Sequence, residues 1–329
     1  MERKMIFITG VAGFIGVNLA EYFLKQGHAV YGIDNFSSGQ EENIDYLFSL
    51  DCDGVFGFDK LDIAKKVPKL NFPPQVVIHA ASLASPEAYY NLPLETVKVN
   101  TTGTINVASI VAESGVNTTA LLLSTSEIYG DEPCPQNIAQ FGNVNPVGER
   151  ACYSESKRCA ETVWSLLKAQ GYNAKIVRLF NTYGPRMKKD DGRVMTNFVA
   201  AAIADNPLVI YGDGKATRSF CYISDIVNGL DKYINTPEDF HWLINLGGDT
   251  EITIKELAEF VIKIVGSKSK IEYKPARLDE PPLRRPDISC AVDELKWEPK
   301  INLKTGLINL IINMGGNYVR QYHVSRTAK

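Results

Sequence analysis

The alternation of strand-like and helix-like segments is the feature that most restricts the fold of this chain. In the first 180 residues, short apolar runs rich in β-branched residues alternate with segments in which apolar residues recur every three or four positions. This alternation predicts a parallel sheet with helices on both faces, because parallel strands need a crossover connection. The predicted strands are "KMIFITG", "AVYGID", "VVIHAAS", "TALLLSTS" and "AKIVRLFN", and the helix "FIGVNLAEYFLKQG" follows the first of them.

The pattern becomes looser after Asn181, where loops rich in Gly, Pro and charge appear. We predict the helices "RVMTNFVAAAIAD", "TIKELAEFVIKIVG" and "LKTGLINLIINMGG" there, with a short strand "LVIYG". The fold class is therefore α/β, a Rossmann-type doubly wound parallel sheet with a smaller, mixed C-terminal lobe. The predicted sheet domain is 1-180 with a returning segment near 215-245, and the second lobe comprises 181-214 and 246-329.

Charge and cysteine usage exclude several classes of protein. The chain of 329 residues has 35 basic and 38 acidic side chains, so its net charge of -3 gives no positive field for nucleic acid or a membrane surface. The six cysteines form no C-x-x-C pair, which argues against zinc and against a disulfide framework. No segment has the length of a signal peptide core or of a membrane span. We expect a cytoplasmic protein with a small-molecule partner and no metal.

Three glycines, Gly10, Gly13 and Gly16, lie between the first predicted strand and its helix. Such glycines let backbone amides approach a pyrophosphate at the helix N-terminus, although a tight turn packed against a helix needs them as well. The next strand ends at Asp34, whose carboxylate can accept a hydrogen bond from a ribose hydroxyl and would repel a 2'-phosphate. We therefore predict NAD in preference to NADP. Asp62, near the end of the third strand, could reach the adenine or act as an N-cap.

Tyr153 and Lys157 are four residues apart in a segment with helical spacing, so both side chains project from one face. An ammonium near a phenol favours the phenolate, which predicts a lowered pKa for Tyr153. Such a tyrosine can take a proton from an alcohol while hydride leaves the same carbon for NAD. Alone the pair is typical of a solvated helix face, but the upstream glycine motif favours the catalytic interpretation.

The apolar run "TALLLS" leads directly into Thr125, Ser126 and Glu127. Ligands of open α/β sheets bind at the carboxyl ends of the strands, so two hydroxyls and a carboxylate are expected to face the substrate. The alternative is that Glu127 is a solvated loop charge.

Segments spread over nearly the whole chain resemble the extended short-chain dehydrogenase/reductase superfamily of nucleotide-sugar epimerases, dehydratases and decarboxylases. They are the glycine motif, "DNFSSG", "IHAASLAS", "VNTTGTINV", "LLLSTSEIYG", "YSESK" and "RLFNTYGPR". Within that superfamily the chain is most similar to the UDP-glucuronate decarboxylase family, also called UDP-xylose synthases. The segments that carry this similarity are "STSEIYGD", "GNVNPVGERACYSESKR", "FNTYGPRMKKDDGRVMTNFV", "YGDGKATRSFCYISD" and "RRPDISCAVDELKWEPK".

The resemblance implies the residues that bind NAD and those that carry the reaction. The implied NAD contacts are Gly10, Gly13, Phe14, Ile15, Gly16, Asp34, Asn35, Asp62, Ile63, Ala80, Ala81, Ser82, Asn100, Tyr153 and Lys157. The implied catalytic residues are Thr125, Ser126, Glu127, Tyr153, Lys157 and Arg284. The implied contacts to a UDP-sugar are Asn181, Arg193, Asn197, Tyr211, Arg218 and Arg284, with Arg218 expected in a Gly-rich loop as the diphosphate partner.

The resemblance also implies the reaction, which is NAD-dependent decarboxylation of UDP-glucuronate to UDP-xylose through a 4-keto intermediate. Related 4,6-dehydratases usually have Thr-Asp-Glu at the strand end, and related 4-epimerases usually lack the carboxylate, so Ser126 with Glu127 favours the decarboxylase. Glu127, or a water it orders, is the candidate for protonating C5 of the sugar.

Several alternatives remain open. The chain could be a UDP-glucuronate 4-epimerase or another nucleotide-sugar epimerase or dehydratase, including one that releases a 4-keto product. Either Arg284 or Arg285 could reach the active site. Capping or a surface ion pair would explain Arg193 and Asn197 equally well.

A homodimer formed through the helix that bears Tyr153 is expected from the resemblance.

Overall fold

A seven-stranded sheet forms the centre of the fold in the computed structural model, which describes residues 3–276 and 283–319. The parts of the predicted second lobe at 277–282 and 320–329 lie outside these residues. The described strands are β1 (Met5–Thr9), β2 (Ala29–Asp34), β3 (Val55–Lys60), β4 (Val76–His79), β5 (Thr119–Thr125), β6 (Ala174–Leu179), β7 (Thr182–Tyr183), β8 (Leu208–Tyr211), β9 (Thr217–Ser219), β10 (Cys221–Tyr222), β11 (Leu243–Leu246), β12 (Glu251–Thr253) and β13 (Ile271–Lys274).

The described helices connect these strands and cover the sheet. They are α1 (Phe14–Lys25), α2 (Glu41–Phe48), α3 (Pro86–Asn91), α4 (Pro93–Lys98), α5 (Thr104–Ser114), α6 (Ala151–Ala169), α7 (Val194–Ile203), α8 (Ile223–Ile234), α9 (Ile254–Val265), α10 (Ser289–Asp293) and α11 (Leu303–Asn313). A π-helical turn at Val99–Gly103 and a 3₁₀ turn at Ser126–Tyr129 complete the set. The four long helices predicted from the sequence are all found, each ending slightly earlier than predicted.

The central sheet has the order β11-β6-β5-β4-β1-β2-β3, and every neighbouring pair in it is parallel. Successive side chains of a strand point to opposite faces, so β1 buries Ile6 and Ile8 in one apolar cluster and Phe7 in another. Burial on both faces explains why the strands read as continuous apolar runs. The predicted Rossmann-type doubly wound fold is confirmed.

The carboxyl ends of these parallel strands meet at one edge of the sheet. β2 ends at Asp34 and β5 at Thr125, while Gly10, Ala80 and Asn181 lie just beyond the ends of β1, β4 and β6. Residues far apart in sequence therefore come together there, as expected for a ligand site of an open α/β sheet.

The C-terminal third adds short strand pairs beside this edge. β8 pairs with β13 in parallel and β9 with β12 in antiparallel register. The chain also returns to the main sheet, because α8 packs against α1 and β11 pairs with β6. The division into two domains, including the returning segment near 215-245, remains a prediction. Within the described residues, no helix has the combination of length and apolar character that a bilayer crossing requires.

The burial of Trp164 on α6 generates a test of the packing. Trp164 is fully buried, and its indole Nε1 donates to the Ala120 carbonyl at 3.3 Å. We expect Trp164→Ala to lower the free energy of unfolding by about 3–5 kcal/mol, measured by urea titration, because it opens a large cavity. As a control, Phe141→Ala removes an aromatic ring that is 89% exposed and should change stability by less than about 0.5 kcal/mol. Similar losses for both variants would contradict this assignment of the core.

Candidate active site

A cavity of about 620 Å³ opens at the carboxyl edge of the central sheet, beside α7, β8 and β9. It brings together most of the residues that the sequence singled out. The predicted residues that line it are Phe14, Ile15, Ala80, Ser82, Thr125, Ser126, Glu127, Tyr153, Lys157, Asn181, Arg193, Asn197, Tyr211, Arg218 and Arg284. The predicted residues outside the lining, as far as the structure describes it, are Gly10, Gly13, Gly16, Asp34, Asn35, Asp62, Ile63, Ala81 and Asn100.

The glycine loop has a geometry that side chains would fill. Gly10 has a positive φ of 73°, and a Cβ on Gly16 would lie only 2.1 Å from the Gly10 carbonyl oxygen. Gly13 is the N-cap of α1, so the unpaired N–H groups at the start of this helix face the sheet edge, where Phe14 and Ile15 line the cavity. This cradle fits the pyrophosphate of a dinucleotide.

Asp34 has a structural partner as well as a predicted ligand. Its carboxylate accepts hydrogen bonds from the backbone N–H of Ala12 at 3.0 Å and of Phe36 at 2.8 Å. Burial raises the pKa of Asp34, although these two N–H groups oppose the rise. The carboxylate therefore holds the glycine loop to the end of β2. Its neighbour Asn35 is exposed and accepts from the Ser37 N–H.

Two predicted cofactor residues have local contacts that explain them without a ligand. Asp62 accepts from the Ala64 N–H at 3.0 Å and forms an ion pair with Lys65 at 3.2 Å, so it caps a turn after β3. Asn100 is fully buried; its side chain accepts from Ser82 Oγ at 2.8 Å and donates to Ser156 Oγ on α6 at 2.9 Å. The contacts of both residues to NAD remain predictions.

Tyr153 and Lys157 lie one turn apart on α6, and both line the cavity. Burial raises the pKa of Tyr153 to about 12, against the lowering effect of a hydrogen bond with Thr125 and of Arg193 and Arg284. The predicted lowering of this pKa is therefore wrong. The Lys157 ammonium donates to the Leu123 carbonyl at 2.9 Å, and burial lowers the pKa of Lys157 to about 8.

Tyr89 is a residue of the cavity that the sequence reasoning missed. Its ring stacks on that of Tyr153 with centroids 5.4 Å apart and an interplanar angle of 11°. The Tyr89 hydroxyl is buried and has no hydrogen-bond partner among the described residues. A stacked ring restricts the orientation of Tyr153, and an unpaired buried hydroxyl lining a cavity is available to a ligand. The tyrosine pair in "EAYYN" was the available signal, but it reads as an ordinary helix face.

Glu127 is the most constrained charge of the site. Its Oε1 atom accepts from Arg150 Nη2 at 2.7 Å and also from Arg284 Nη1, and its side chain is only 14% exposed. Burial alone would raise the pKa of Glu127, but Arg284, Arg150 and Arg218 outweigh burial and hold it below its usual range. Glu127 is thus an ionised, paired carboxylate, and the alternative of a solvated loop charge is wrong.

Arg284 and Arg150 both pair with Glu127, but the sequence analysis named only Arg284 as a candidate. Arg284 is 5% exposed and reaches Glu127, whereas Arg285 forms an ion pair with Glu251 at 3.5 Å. Arg284 is therefore the member of the pair that enters the cavity. Arg150 was missed, although its position one helical turn before Tyr153 gives a signal of the same kind as Lys157 one turn after it.

The remaining predicted substrate residues surround the other side of the cavity. Arg218 is 5% exposed and lies in β9 opposite Ile252 of β12, so the predicted Gly-rich loop position for it is wrong. Arg193 is the N-cap of α7 and forms an ion pair with Asp191 at 3.3 Å, as one of its alternatives predicted. Asn181, Asn197 and Tyr211 line the same side.

The charge of the lining favours an anionic ligand. The lining contains two carboxylates, Glu127 and Asp213, and a larger number of cationic side chains. These are Arg150, Lys157, Arg193, Lys215, Arg218 and Arg284. Guanidinium groups match phosphate and carboxylate oxygens in charge and geometry, so the site suits a ligand that carries both.

A group of metal-type ligands lies outside the lining of this cavity. His241, Cys290 and Glu294 bring their ligand atoms within 4.8 Å of one another, a grouping that their separation in sequence conceals. His241 Nε2 lies 2.9 Å from Glu294 Oε1, so these two side chains already satisfy each other.

Comparisons with known proteins agree with this geometry. The sequence profile of the NAD dependent epimerase/dehydratase family matches residues 6–247. UDP-glucuronic acid decarboxylase 1 of Arabidopsis thaliana is 43% identical over 312 residues, which cover 94% of this chain and 69% of the relative. The Danio rerio protein of the same name is 40% identical over 308 residues, covering 93% of this chain and 71% of the relative.

A solved structure shares both the fold and part of the sequence. It is the UDP-glucuronic acid 4-epimerase of Bacillus cereus in complex with UDP-glucuronic acid and NAD. The two proteins superpose with a TM-score of 0.84 at 26% identity, over 94% of this chain and 99% of the other.

The paired state of Glu127 predicts a direction for the pH dependence of stability. Because its folded pKa lies below the reference value of 4.5, the carboxylate stabilises the fold fully above about pH 4.5, and this contribution is lost as the pH falls through the folded pKa. We expect Glu127→Gln to lower the free energy of unfolding at pH 7 by about 3 kcal/mol, because buried guanidiniums lose their anionic partner. The difference from wild type should shrink below pH 4.5.

Urea unfolding across this pH range measures the effect. The control Glu155→Gln removes a half-exposed partner of Arg158 at 3.6 Å and should cost less than about 0.5 kcal/mol at any pH. A difference for Glu127→Gln that is absent at neutral pH, or that grows toward acid, would contradict the ionised pair.

Proposed function

Because the chain belongs to the NAD-dependent epimerase/dehydratase family, its cofactor is NAD, and we propose that it converts UDP-glucuronate to UDP-xylose by decarboxylation through a 4-keto intermediate. Relatives named UDP-glucuronic acid decarboxylase, at about 40% identity over most of the chain, support this reaction. The observation that carries it is the ionised Glu127, paired with Arg150 and Arg284 beside Tyr153 in an arginine-rich cavity.

Oxidation at C4 would depend on Tyr153, Thr125 and Lys157. When bound, NAD supplies the acceptor and later the donor of a hydride at C4. Tyr153 takes the C4 hydroxyl proton in its anionic form. Burial disfavours that anion, while the hydrogen bond from Thr125 and the charges of Arg193 and Arg284 stabilise it. The Leu123 carbonyl fixes the Lys157 ammonium at 2.9 Å, and Lys157 would hold the cofactor ribose.

Decarboxylation needs an electron sink and a means of holding the carboxylate. In the 4-keto acid the carboxylate is β to the ketone, so loss of carbon dioxide leaves an enolate whose charge rests on the ketone oxygen. Thr125 and the protonated Tyr153 can donate to that oxygen. We place the substrate carboxylate beside Arg150, since this residue lines the cavity and its guanidinium matches a carboxylate in charge and geometry.

Protonation at C5 would then use a water held by Glu127, and the hydroxide left behind takes a proton from the solvent, so that one proton is consumed for each carbon dioxide released. An ionised carboxylate with a lowered pKa carries no proton to give, so of the two predicted roles the ordering of a water is the one we propose. Return of the hydride at C4 and of the proton from Tyr153 completes UDP-xylose. Glu127 therefore acts after the first oxidation.

The alternative reaction is 4-epimerisation of UDP-glucuronate. The solved 4-epimerase supports it through its fold and its named ligand. Epimerisation, however, requires only that the 4-keto sugar rotate in the site, and this needs no additional acid or base. The Glu127 carboxylate, held between two guanidiniums, therefore has no evident role in epimerisation. Ser126 in turn disfavours dehydration, because a serine is a poor acid for a departing hydroxyl.

We also propose that the C-terminal elements bind the nucleotide and the sheet domain binds NAD. Arg218 is the proposed diphosphate partner, and the arginine-rich side of the cavity supports this division. The other proposed nucleotide contacts are Asn181, Arg193, Asn197 and Tyr211.

All six cysteines are free thiols, which supports a reducing compartment, the cytoplasm.

A homodimer is proposed through α4, α5 and α6, because α6 packs against both α4 and α5. Leu94 on α4, Ile105 on α5 and Leu166 on α6 expose 68%, 52% and 57% of their surface, and this apolar surface supports burial against a second copy.

Tyr153→Phe tests the proposed base. Only the phenol oxygen is removed, so NAD and UDP should bind with unchanged dissociation constants while turnover falls at least about a hundredfold. Calorimetry and a discontinuous product assay measure the two quantities. Turnover close to that of wild type would exclude Tyr153 as the group that exchanges the C4 proton.

Glu127→Gln separates decarboxylation from epimerisation. In a single turnover with UDP-glucuronate, we expect slow release of carbon dioxide, or NADH that accumulates beside a 4-keto species, because the steps after oxidation lose their carboxylate. Absorbance at the NADH band and trapped carbon dioxide are followed together. If wild type yields UDP-galacturonate without carbon dioxide and the variant behaves like wild type, the decarboxylase proposal fails.

Ile105→Asp tests the homodimer. A carboxylate in place of this exposed apolar side chain on α5 should convert the dimer to a monomer in light scattering coupled to gel filtration. The control Phe48→Asp alters a side chain that is 59% exposed on α2, away from this face, and should leave the mass unchanged. A wild-type monomer, or loss of the dimer in both variants, would contradict the proposed interface.

A further inference from the structure

Behind the cavity, Asn245 joins the two chain segments that carry Glu127 and Arg284. Asn245 lies in β11, next to the edge of the sheet where the cavity opens, and is 2% exposed. A buried amide has one acceptor and two donor positions to satisfy, so its partners indicate what it fixes.

The acceptor side of Asn245 fixes the turn that carries Glu127. Its Oδ1 accepts from the Tyr129 hydroxyl at 2.8 Å, and Tyr129 ends the Ser126–Tyr129 turn. The same hydroxyl accepts from Arg178 Nη1 at 3.0 Å, which ties the turn to β6. Arg178 in turn forms two hydrogen bonds to Glu161 of α6, one turn beyond Lys157.

The donor side of Asn245 fixes the segment that carries Arg284. Its Nδ2 donates to the Gln136 carbonyl at 2.9 Å and to the Asp287 carbonyl at 3.2 Å. The backbone of Gln136 also donates to the Arg285 carbonyl and accepts from the Asp287 N–H, both at 2.8 Å. Arg284 therefore enters the cavity from a segment that the Asn245 amide and the Gln136 backbone hold in place.

We propose that Asn245 is a positioning residue that sets Arg284 against Glu127 during the reaction. The inference rests on the proposed function, because it assigns Asn245 to the Glu127–Arg284 pair of that site. No side chain of the same size can replace it: an aspartate would turn an oxygen toward two carbonyl oxygens, and a leucine would leave a hydroxyl and two carbonyls with fewer partners.

A double-mutant cycle tests whether Asn245 acts through Arg284. Asn245→Asp, Arg284→Ala and the double variant are compared with wild type in kcat/KM for UDP-glucuronate and in its dissociation constant by calorimetry. Asn245→Asp alone should lower kcat/KM about tenfold or more, because it withdraws the amide donor from buried carbonyls. In the Arg284→Ala background the same change should cost less than about twofold, since the group that it positions is already absent.

A matched control distinguishes positioning from general loss of structure. Asn173 is 7% exposed, donates to Thr119 Oγ1 at 3.1 Å and lies at the opposite edge of the same sheet. Asn173→Asp should lower the melting temperature but change kcat/KM by less than about twofold in either background. If Asn245→Asp does not fold, Asn245→Ser takes its place in the cycle, because it removes the amide donor to the Gln136 and Asp287 carbonyls without placing a carboxylate against them.

The outcomes separate this inference from the proposed function. Equal losses from Asn245→Asp with and without Arg284, or a lower melting temperature with unchanged kcat/KM and binding, would overturn the positioning role. A wild type that binds UDP-glucuronate but releases no carbon dioxide contradicts the proposed function instead. In that case the dissociation constants of the four proteins for UDP-glucuronate still show whether the effect of Asn245→Asp depends on Arg284.

Discussion

The ion pairs of Glu127 with Arg150 and Arg284 are the interaction on which the rest of the site depends. A carboxylate that is 14% exposed is costly to bury unless cations and hydrogen-bond donors surround it. Its partners are Arg150, the N-cap of α6, and Arg284 in the segment after residue 282. The pairing therefore brings together the end of β5, the start of the helix that carries Tyr153 and the C-terminal part of the chain. Removal of Glu127 would leave two buried guanidiniums without this anion, so the three charges hold one another in a single geometry.

That geometry separates two roles that the sequence could not distinguish. A solvated Glu127 would titrate near its ordinary pKa and could serve as an acid, whereas the paired carboxylate stays ionised and can only accept or orient protons. The cations that hold it also leave the cavity rich in positive charge, which suits an acidic nucleotide sugar. The same pairing thus supports both the choice of substrate and the order of the proposed steps.

The sequence predicted the fold because it depends on local pattern, whereas the resemblance supplied most of the predicted residues that line the cavity. The strands follow from apolar runs, the glycine loop from its place between β1 and α1, and Tyr153 with Lys157 from helical spacing. The pKa of Tyr153 was predicted in the wrong direction because burial, which spacing does not reveal, outweighs the nearby charges. Asn245 was missed because its importance arises only from contacts across the tertiary structure, and the same contacts decide between Arg284 and Arg285. Arg150 and Tyr89 each had a sequence signal, but that signal is equally typical of an ordinary helix face.

The most direct test of the central claim is the structure of the product formed by wild-type protein from UDP-glucuronate and NAD in deuterated water, determined by NMR. We expect the product to be UDP-xylose, which has lost one carbon as carbon dioxide. It should retain the substrate hydrogen at C4 and carry one solvent deuterium at C5. The C5 deuterium is expected because an enolate is protonated there from a solvent-exchanging donor. A six-carbon product, UDP-galacturonate, with no deuterium at C5 and no carbon dioxide would contradict it.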